Sequence, residues 1–322
     1  MKANEIFLVF FFGLVIGVIL GPLIKQRLEK ILISPVPVIS AEVQDLKLPL
    51  DQRQILGISS PSEKPASTKK KKTIHFADLI NQIKPQADSE SSAKKKSQLN
   101  QSNYQGEISL AVFGDSMVDL MGENLPYLRN ALEEYYPQAK LKLFNYGIGS
   151  QNISQGLARL NQDYHYKERD YPPLLALNPD IIVLDPFNYN PFADSQDELY
   201  RHWAELNQIV EMINDNTQAQ VIILATIAPH KQSFGQGAEG VNWTQDQAWL
   251  QANRINQYLK NSLLFAQEME LPSVDVYHQS LDENGEGKLE YIKAEDHLHQ
   301  NEAGNRLIAK LLAEKIYQLK IF

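Results

Sequence analysis

The feature that most restricts the fold is an alternation that begins at residue 107. Short runs rich in apolar residues, Ile108–Phe113, Leu141–Asn145, Asp180–Leu184, Val221–Ala225 and Val274–Tyr277, are separated by stretches with helical character. Those stretches lie at about 124–136, 152–163, 196–215 and 246–270, with a last one at about 301–319. Three of the runs are continuously apolar, as strands buried on both faces must be. Strand–helix alternation of this kind predicts a parallel sheet sandwiched by helices. The expected fold class is α/β, a three-layer α/β/α sandwich with a five-stranded, mainly parallel sheet. No repeat at a fixed period is visible.

Two different compositions precede it. Residues 6–24 are apolar or small without one charge, close to the ~20 residues that cross a hydrocarbon core. A secretory signal is the competing reading, but its apolar region runs only ~7–15 residues. The segment Val38-Ile39-Ser40-Ala41 would fit a cleavage site but lies too far downstream. Residues 1–32 are therefore expected to form a transmembrane anchor, which makes this a single-pass membrane protein. Lys25, Arg27 and Lys30 against Lys2 would hold the following domain inside, but Glu29 offsets the small bias, and the charges leave orientation open. Residues 33–106 are rich in Pro, Ser, Lys and Gln, with lysine runs at 69–72 and 94–96. They read as a solvated linker; contact of the lysines with anionic headgroups or a wall polymer is the alternative.

Charge separates these parts from the rest. Residues 1–106 hold 15 Lys and Arg against 9 Asp and Glu, a net +6, while residues 107–322 hold 16 against 30, a net −14. A domain that acidic repels a nucleic-acid backbone, so nucleic acid is not an expected partner. The sequence has no cysteine, which excludes disulfides, thiolate metal sites and a cysteine nucleophile.

Candidate chemistry gathers just after the expected strands, where open α/β folds place ligands. Phe113-Gly114-Asp115-Ser116-Met117 puts a serine at a strand-to-helix turn, where backbone N–H groups can face a developing negative charge. Asn145-Tyr146-Gly147-Ile148-Gly149-Ser150 follows the second strand, and its glycines let the backbone approach a ligand. It lacks the third glycine of a dinucleotide-binding turn, since Asn152 stands there. Asp185-Pro186-Phe187-Asn188-Tyr189-Asn190-Pro191 follows the third strand; its amides could donate to an oxyanion or serve as turn formers. Finally, in Asp296-His297-Leu298-His299 a carboxylate lies three residues ahead of a histidine. Such a carboxylate can accept from Nδ1–H and leave Nε2 free to take a serine proton. Of the seven histidines, only His299 combines this spacing with a helix start just behind it. A metal reading through Asp296, His297 and His299 needs further ligands, for which His230 is the obvious histidine; no metal and no cofactor are expected.

Taken together, these blocks resemble the SGNH, or GDSL-type, hydrolase family over residues 107–322, with its flavodoxin-like fold. Gly114-Asp115-Ser116 is similar to the first family block, the Asn145–Ser150 stretch to the second, and Asp296-His297-Leu298-His299 with Gly304 to the last. The resemblance implies Ser116 as nucleophile, His299 as base and Asp296 as its orienting group, with Gly149 (or Ser150) in the oxyanion hole. The third block departs from the family's Gly-x-Asn-Asp. Strict alignment puts the oxyanion amide at Asn188, whereas the Phe-x-Tyr-Asn-Pro wording resembles a variant branch in which it is Asn190, the preferred choice. The implied activity is carboxylic ester hydrolysis through an acyl-enzyme. The implied partner is an ester-bearing substrate such as an O-acetylated cell-envelope glycan, with the domain extracytoplasmic. Specificity is expected from 185–195 and from the connection 228–245, which holds Phe234 and Trp243. An O-acyltransferase with the same triad and a catalytically silent anchored binding domain are the alternatives.

Overall fold

The computed structural model describes residues 101–322. The run 6–24 expected to cross a membrane, and the linker as far as residue 100, lie outside the described residues. Among the described residues no helix is long and apolar enough to span a bilayer.

The described residues form seven strands: β1 (Glu107–Gly114), β2 (Lys140–Gly147), β3 (Tyr164–Tyr166), β4 (Arg169–Tyr171), β5 (Ile181–Leu184), β6 (Gln220–Ala225) and β7 (Ser273–Asp275). Between them lie α1 (Ser116–Asp119), α2 (Pro126–Tyr135), α3 (Ile153–Arg159), α4 (Leu174–Leu177), α5 (Gln196–Asn216) and α6 (Gln245–Glu268), with α7 (Val276–Gln279) and α8 (Glu302–Leu319) following β7. Five strands make one sheet, parallel throughout, in the order β2-β1-β5-β6-β7. That matches the expected five-stranded sheet. The last strand is shorter than its apolar run because the Asp275 side chain accepts from the His278 N–H and caps α7, which takes Val276 and Tyr277 into a helix. The antiparallel hairpin β3–β4 was not anticipated.

Layering follows from crossover handedness. The chain moves from β1 outward to β2, then returns across β1 to β5 and continues to β7, so the helices of the two directions fall on opposite faces. Helices α2 and α8 pack together on one face, and α3, α5 and α6 on the other. Ile108, Leu110 and Val112 alternate along β1. They meet Leu128 and Leu132 of α2 and Ile308, Leu312 and Ile316 of α8, every one of them no more than 1% exposed. Their spacing in α8 makes a single apolar stripe. Each such side chain contributes about 1.5–3 kcal/mol on burial.

Register brings the carboxyl ends of three strands level. Gly114 lies opposite Gly147 and Phe113 opposite Leu184, the last residue of β5. Gly147 is required here because the backbone of Val118 and Asp119 fills the space where a Cβ would stand. The strand order reverses between β1 and β5, which opens a crevice at these ends.

The segment after β5 is held from both neighbouring helices. His202 of α5 donates Nε2–H to the Pro186 carbonyl at 2.9 Å, and its Nδ1 accepts from the Asn261 amide of α6 at 3.0 Å. Burial lowers the His202 pKa to about 4, so the ring is neutral and this tautomer is the one the network selects. The unfolded ring titrates near 6.5 and binds a proton that the folded ring refuses, so stability is lost as pH falls from about 6.5 to 4. The loss amounts to about 3 kcal/mol. The denaturant midpoint is expected to drop over this window, and His202→Gln to lower stability at neutral pH while flattening that part of the profile. An unchanged profile in the variant would contradict the assignment.

Candidate active site

Ser116 begins α1 immediately after β1. The Asp115 side chain caps this helix by accepting from the Met117 N–H at 2.9 Å, so Ser116 is held at the helix start. Across the crevice, Asp296 organises the histidine turn. Its Oδ1 accepts from the N–H groups of Leu298 (2.8 Å) and His299 (3.0 Å), while Oδ2 meets His299 Nδ1 at 2.7 Å. His299 Nε2 lies 3.0 Å from Ser116 Oγ. Burial would raise the Asp296 carboxyl, but the His299 N–H, the His299 ring and the Leu298 N–H outweigh it and hold the group below the usual carboxylate value.

Two anchors keep the histidine turn in place. Gln300, fully buried, donates Nε2–H to the Met117 carbonyl at 2.5 Å, which ties the turn directly to the serine helix. Asn301 caps α8 by accepting from the Gly304 N–H, and its amide donates to the carbonyls of Glu290 and Ile292.

Ser116 and His299 open into a cavity of about 730 Å³ whose wall includes Gly149, Asn190, Tyr166 and Trp243. The structure therefore brings Ser116, His299, Gly149 and Asn190 to one cavity, with Asp296 behind the histidine. Gly149 stands close enough that a Cβ there would lie 3.9 Å from the Ser116 Cβ and 3.0 Å from the Tyr166 hydroxyl. Its N–H donates to that hydroxyl at 3.1 Å. His297 does not line the cavity. Among the described residues no cluster of His, Asp and Glu could hold a metal ion.

Residues 110–312 match the sequence model of the GDSL-like lipase/acylhydrolase family. The chain belongs to this family. It is a carboxylic ester hydrolase, and the likeness to SGNH hydrolases read from its blocks is the family likeness. Among curated proteins no sequence matches it. Solved structures similar to this GDSL-like hydrolase include a lipase/acylhydrolase from Enterococcus faecalis, with 19% identity over 66% of this chain and 96% of that one and a TM-score of 0.47. An acetylxylan esterase from Geobacillus stearothermophilus is 15% identical over 68% of this chain and 96% of its own, with a TM-score of 0.43.

In this GDSL-like hydrolase the two asparagines after β5 have different surroundings. Asn188 is completely buried, outside the cavity wall, and its Oδ1 accepts from Ser262 Oγ of α6 at 2.8 Å. Asn190 lines the cavity, and its amide donates to Asp115 Oδ2 at 3.0 Å. The Asp115 carboxylate is fully buried beside Asp185, and burial raises both. The neighbouring Asp115 adds to the rise at Asp185, whereas the Met117 N–H and the Asn190 amide offset part of it at Asp115.

Arg159 has no counterpart in the sequence reading. From α3, its Nη2 donates to the carbonyls of Gly114 and Tyr146, both at 2.9 Å, its Nε to Gln151 and its Nη1 to the Tyr164 hydroxyl. Burial pulls its pKa down to about 10, and the guanidinium lies 4.3 Å from the centroid of the Phe113 ring. It thus joins the ends of the two strands that carry Ser116 and Gly149. Arg159→Met removes the charged donor from the Gly114 and Tyr146 carbonyls, the first of which keeps the Ile148 N–H, and a hydrogen bond to a charged group contributes about 1.5–3 kcal/mol. A loss of about 3 kcal/mol is expected in a urea melt, or roughly 6–12 °C in Tm. A melt within 0.5 kcal/mol of the parent, on the order of an ordinary surface change, would contradict the anchoring role.

Proposed function

We propose that the protein is a serine esterase in which Ser116 is the nucleophile, His299 the general base and Asp296 the group that orients it. The reading rests chiefly on one observation, the continuous contact from Asp296 Oδ2 to His299 Nδ1 (2.7 Å) and from His299 Nε2 to Ser116 Oγ (3.0 Å) at a cavity wall. As the Ser116 oxygen bonds to the ester carbonyl carbon, its proton passes to His299 Nε2. The carbonyl oxygen becomes an oxyanion facing the Ser116 N–H and the Asn190 amide, with the Gly149 N–H shared between it and the Tyr166 hydroxyl. On collapse, His299 returns the proton to the departing alkoxide. Water, deprotonated by His299, then releases the acid from the acyl-enzyme.

Asn190 rather than Asn188 is the oxyanion amide in this reading, because Asn188 is fully buried away from the cavity wall and Asn190 lines it. The substrate is an ester-bearing glycan, with O-acetyl groups on a cell-envelope polysaccharide as the intended bond. Support comes from Trp243 at the cavity, a partly exposed ring suited to a sugar face and backed by the buried Phe234 ring at 5.8 Å and 21°. The uncharged run 6–24 supports a single-pass membrane tether with the domain extracytoplasmic.

Ser116→Ala is expected to lower turnover of an acetyl ester by roughly 10⁴–10⁶-fold, and Asn190→Ala to lower kcat by roughly 10²–10³-fold with little change in KM. Ser116→Ala should melt like the parent, whereas Asn190→Ala, which removes a donor from the buried Asp115 carboxylate, should melt lower by about 1.5–3 kcal/mol. Undiminished hydrolysis by Ser116→Ala would remove the assignment.

A further inference from the structure

The cavity has two walls of different chemistry, and the strand order assigns them to opposite sides of Ser116. Gly149 follows β2, on one side of β1; the loop carrying Phe234 and Trp243 follows β6, on the other. The second wall is joined to the histidine turn, since the Gly235 N–H donates to the His297 carbonyl at 3.1 Å.

Under the serine-esterase reading above, on which this step rests, His299 must deliver a proton to the leaving oxygen. The alcohol portion of the ester therefore lies along the His299 wall. The acyl portion then points the other way, towards Gly149 and the β3–β4 hairpin.

That end is closed by Tyr166. Its hydroxyl accepts the Gly149 N–H at 3.1 Å and donates to Asp119 Oδ2 at 3.1 Å. Asp119, one helical turn beyond Ser116, also takes Lys167 Nζ at 2.8 Å and Arg169 Nη2 at 2.7 Å. Both cations flank the ring of Tyr166, at 5.0 and 5.9 Å from its centroid. The ring is thus fixed at its tip and beside its face, and its surroundings are charged. An alkyl chain laid against this wall forgoes the gain of about four-fold per methylene that an apolar pocket would give.

We infer that Tyr166 is the specificity-determining residue for acyl length and restricts the enzyme to short-chain esters of acetyl size. The hairpin is an acyl-end wall, held shut by the pairing of Asp119 with Lys167 and Arg169.

p-Nitrophenyl esters from acetate to octanoate keep the leaving group constant and vary only the acyl chain. The full chain is expected to favour acetate over hexanoate in kcat/KM by at least ten-fold, and Tyr166→Ala to reduce that ratio at least ten-fold. Tyr166→Phe, which keeps the ring and loses only the hydroxyl, should hold the ratio within about two-fold of the parent. A parent enzyme that prefers hexanoate overturns the inference whether or not the variants fold. So does a folded Tyr166→Ala with the parent's ratio. Failure of the underlying reading looks different: Ser116→Ala would then hydrolyse the whole ester series as the parent does.

Discussion

The guanidinium of Arg159 bridges the last carbonyls of two neighbouring parallel strands, and the site's geometry depends on that bridge. The Gly114 carbonyl, which also takes the Ile148 N–H from just after the neighbouring strand, and the Tyr146 carbonyl both accept from Nη2 in the interior. A buried cation is costly unless its donors are met. Every nitrogen of Arg159 has an acceptor, and the Phe113 ring covers its face. With these ends pinned, Ser116 and Gly149 leave the sheet at fixed positions beside each other. The same side chain donates to Tyr164 at the root of the hairpin, so the strand ends and the cavity wall share one support.

Four aspartates near the crevice show how surroundings separate chemically identical groups. Asp296 is surrounded by N–H donors and is held ionised, as a partner for an imidazole must be. Asp119 meets two cations at the hairpin. Asp115 and Asp185 meet no cation among the described residues and are buried near each other, which raises both above the usual carboxylate value. Asp115 accepts from both the Met117 N–H and the Asn190 amide. One carboxylate thereby couples the start of the serine helix to the segment after β5.

The parts of this arrangement legible in the sequence are those set by near neighbours. Runs rich in apolar residues marked the five sheet strands, three of them continuous because burial on both faces leaves little choice of residue. The Asp-x-x-His turn was legible because its hydrogen bonds close within three residues. What escaped depends on distant partners. Asn188 and Asn190 are equivalent in local sequence, and they are separated by Ser262 and Asp115, 74 and 75 residues away. Arg159 reads as an ordinary basic residue near a helix end until the two strand ends are placed beneath it. The hairpin was missed because its strands are short and lie outside the main sheet. The alternation of Tyr164 and Tyr166 around His165, followed by Tyr171, was its only sequence signal.

A second Asp-x-x-His in the same molecule shows what such a motif does and does not specify. At the end of β7, Asp275 accepts the His278 N–H at 3.0 Å and meets His278 Nδ1 at 2.6 Å, nearly duplicating Asp296 and His299. Local chemistry therefore suffices to build an oriented imidazole twice. The difference lies in where each turn is delivered. Asp275 ends the edge strand, separated from β1 by β5 and β6. His299 instead sits on a turn that Gln300 fastens to the carbonyl of Met117, the residue after the serine. An orienting carboxylate fixes the ring of a histidine, but only the long-range anchor brings its Nε2 to a serine hydroxyl. The buried amide of Gln300 is thus as much a part of the site's construction as the motif beside it.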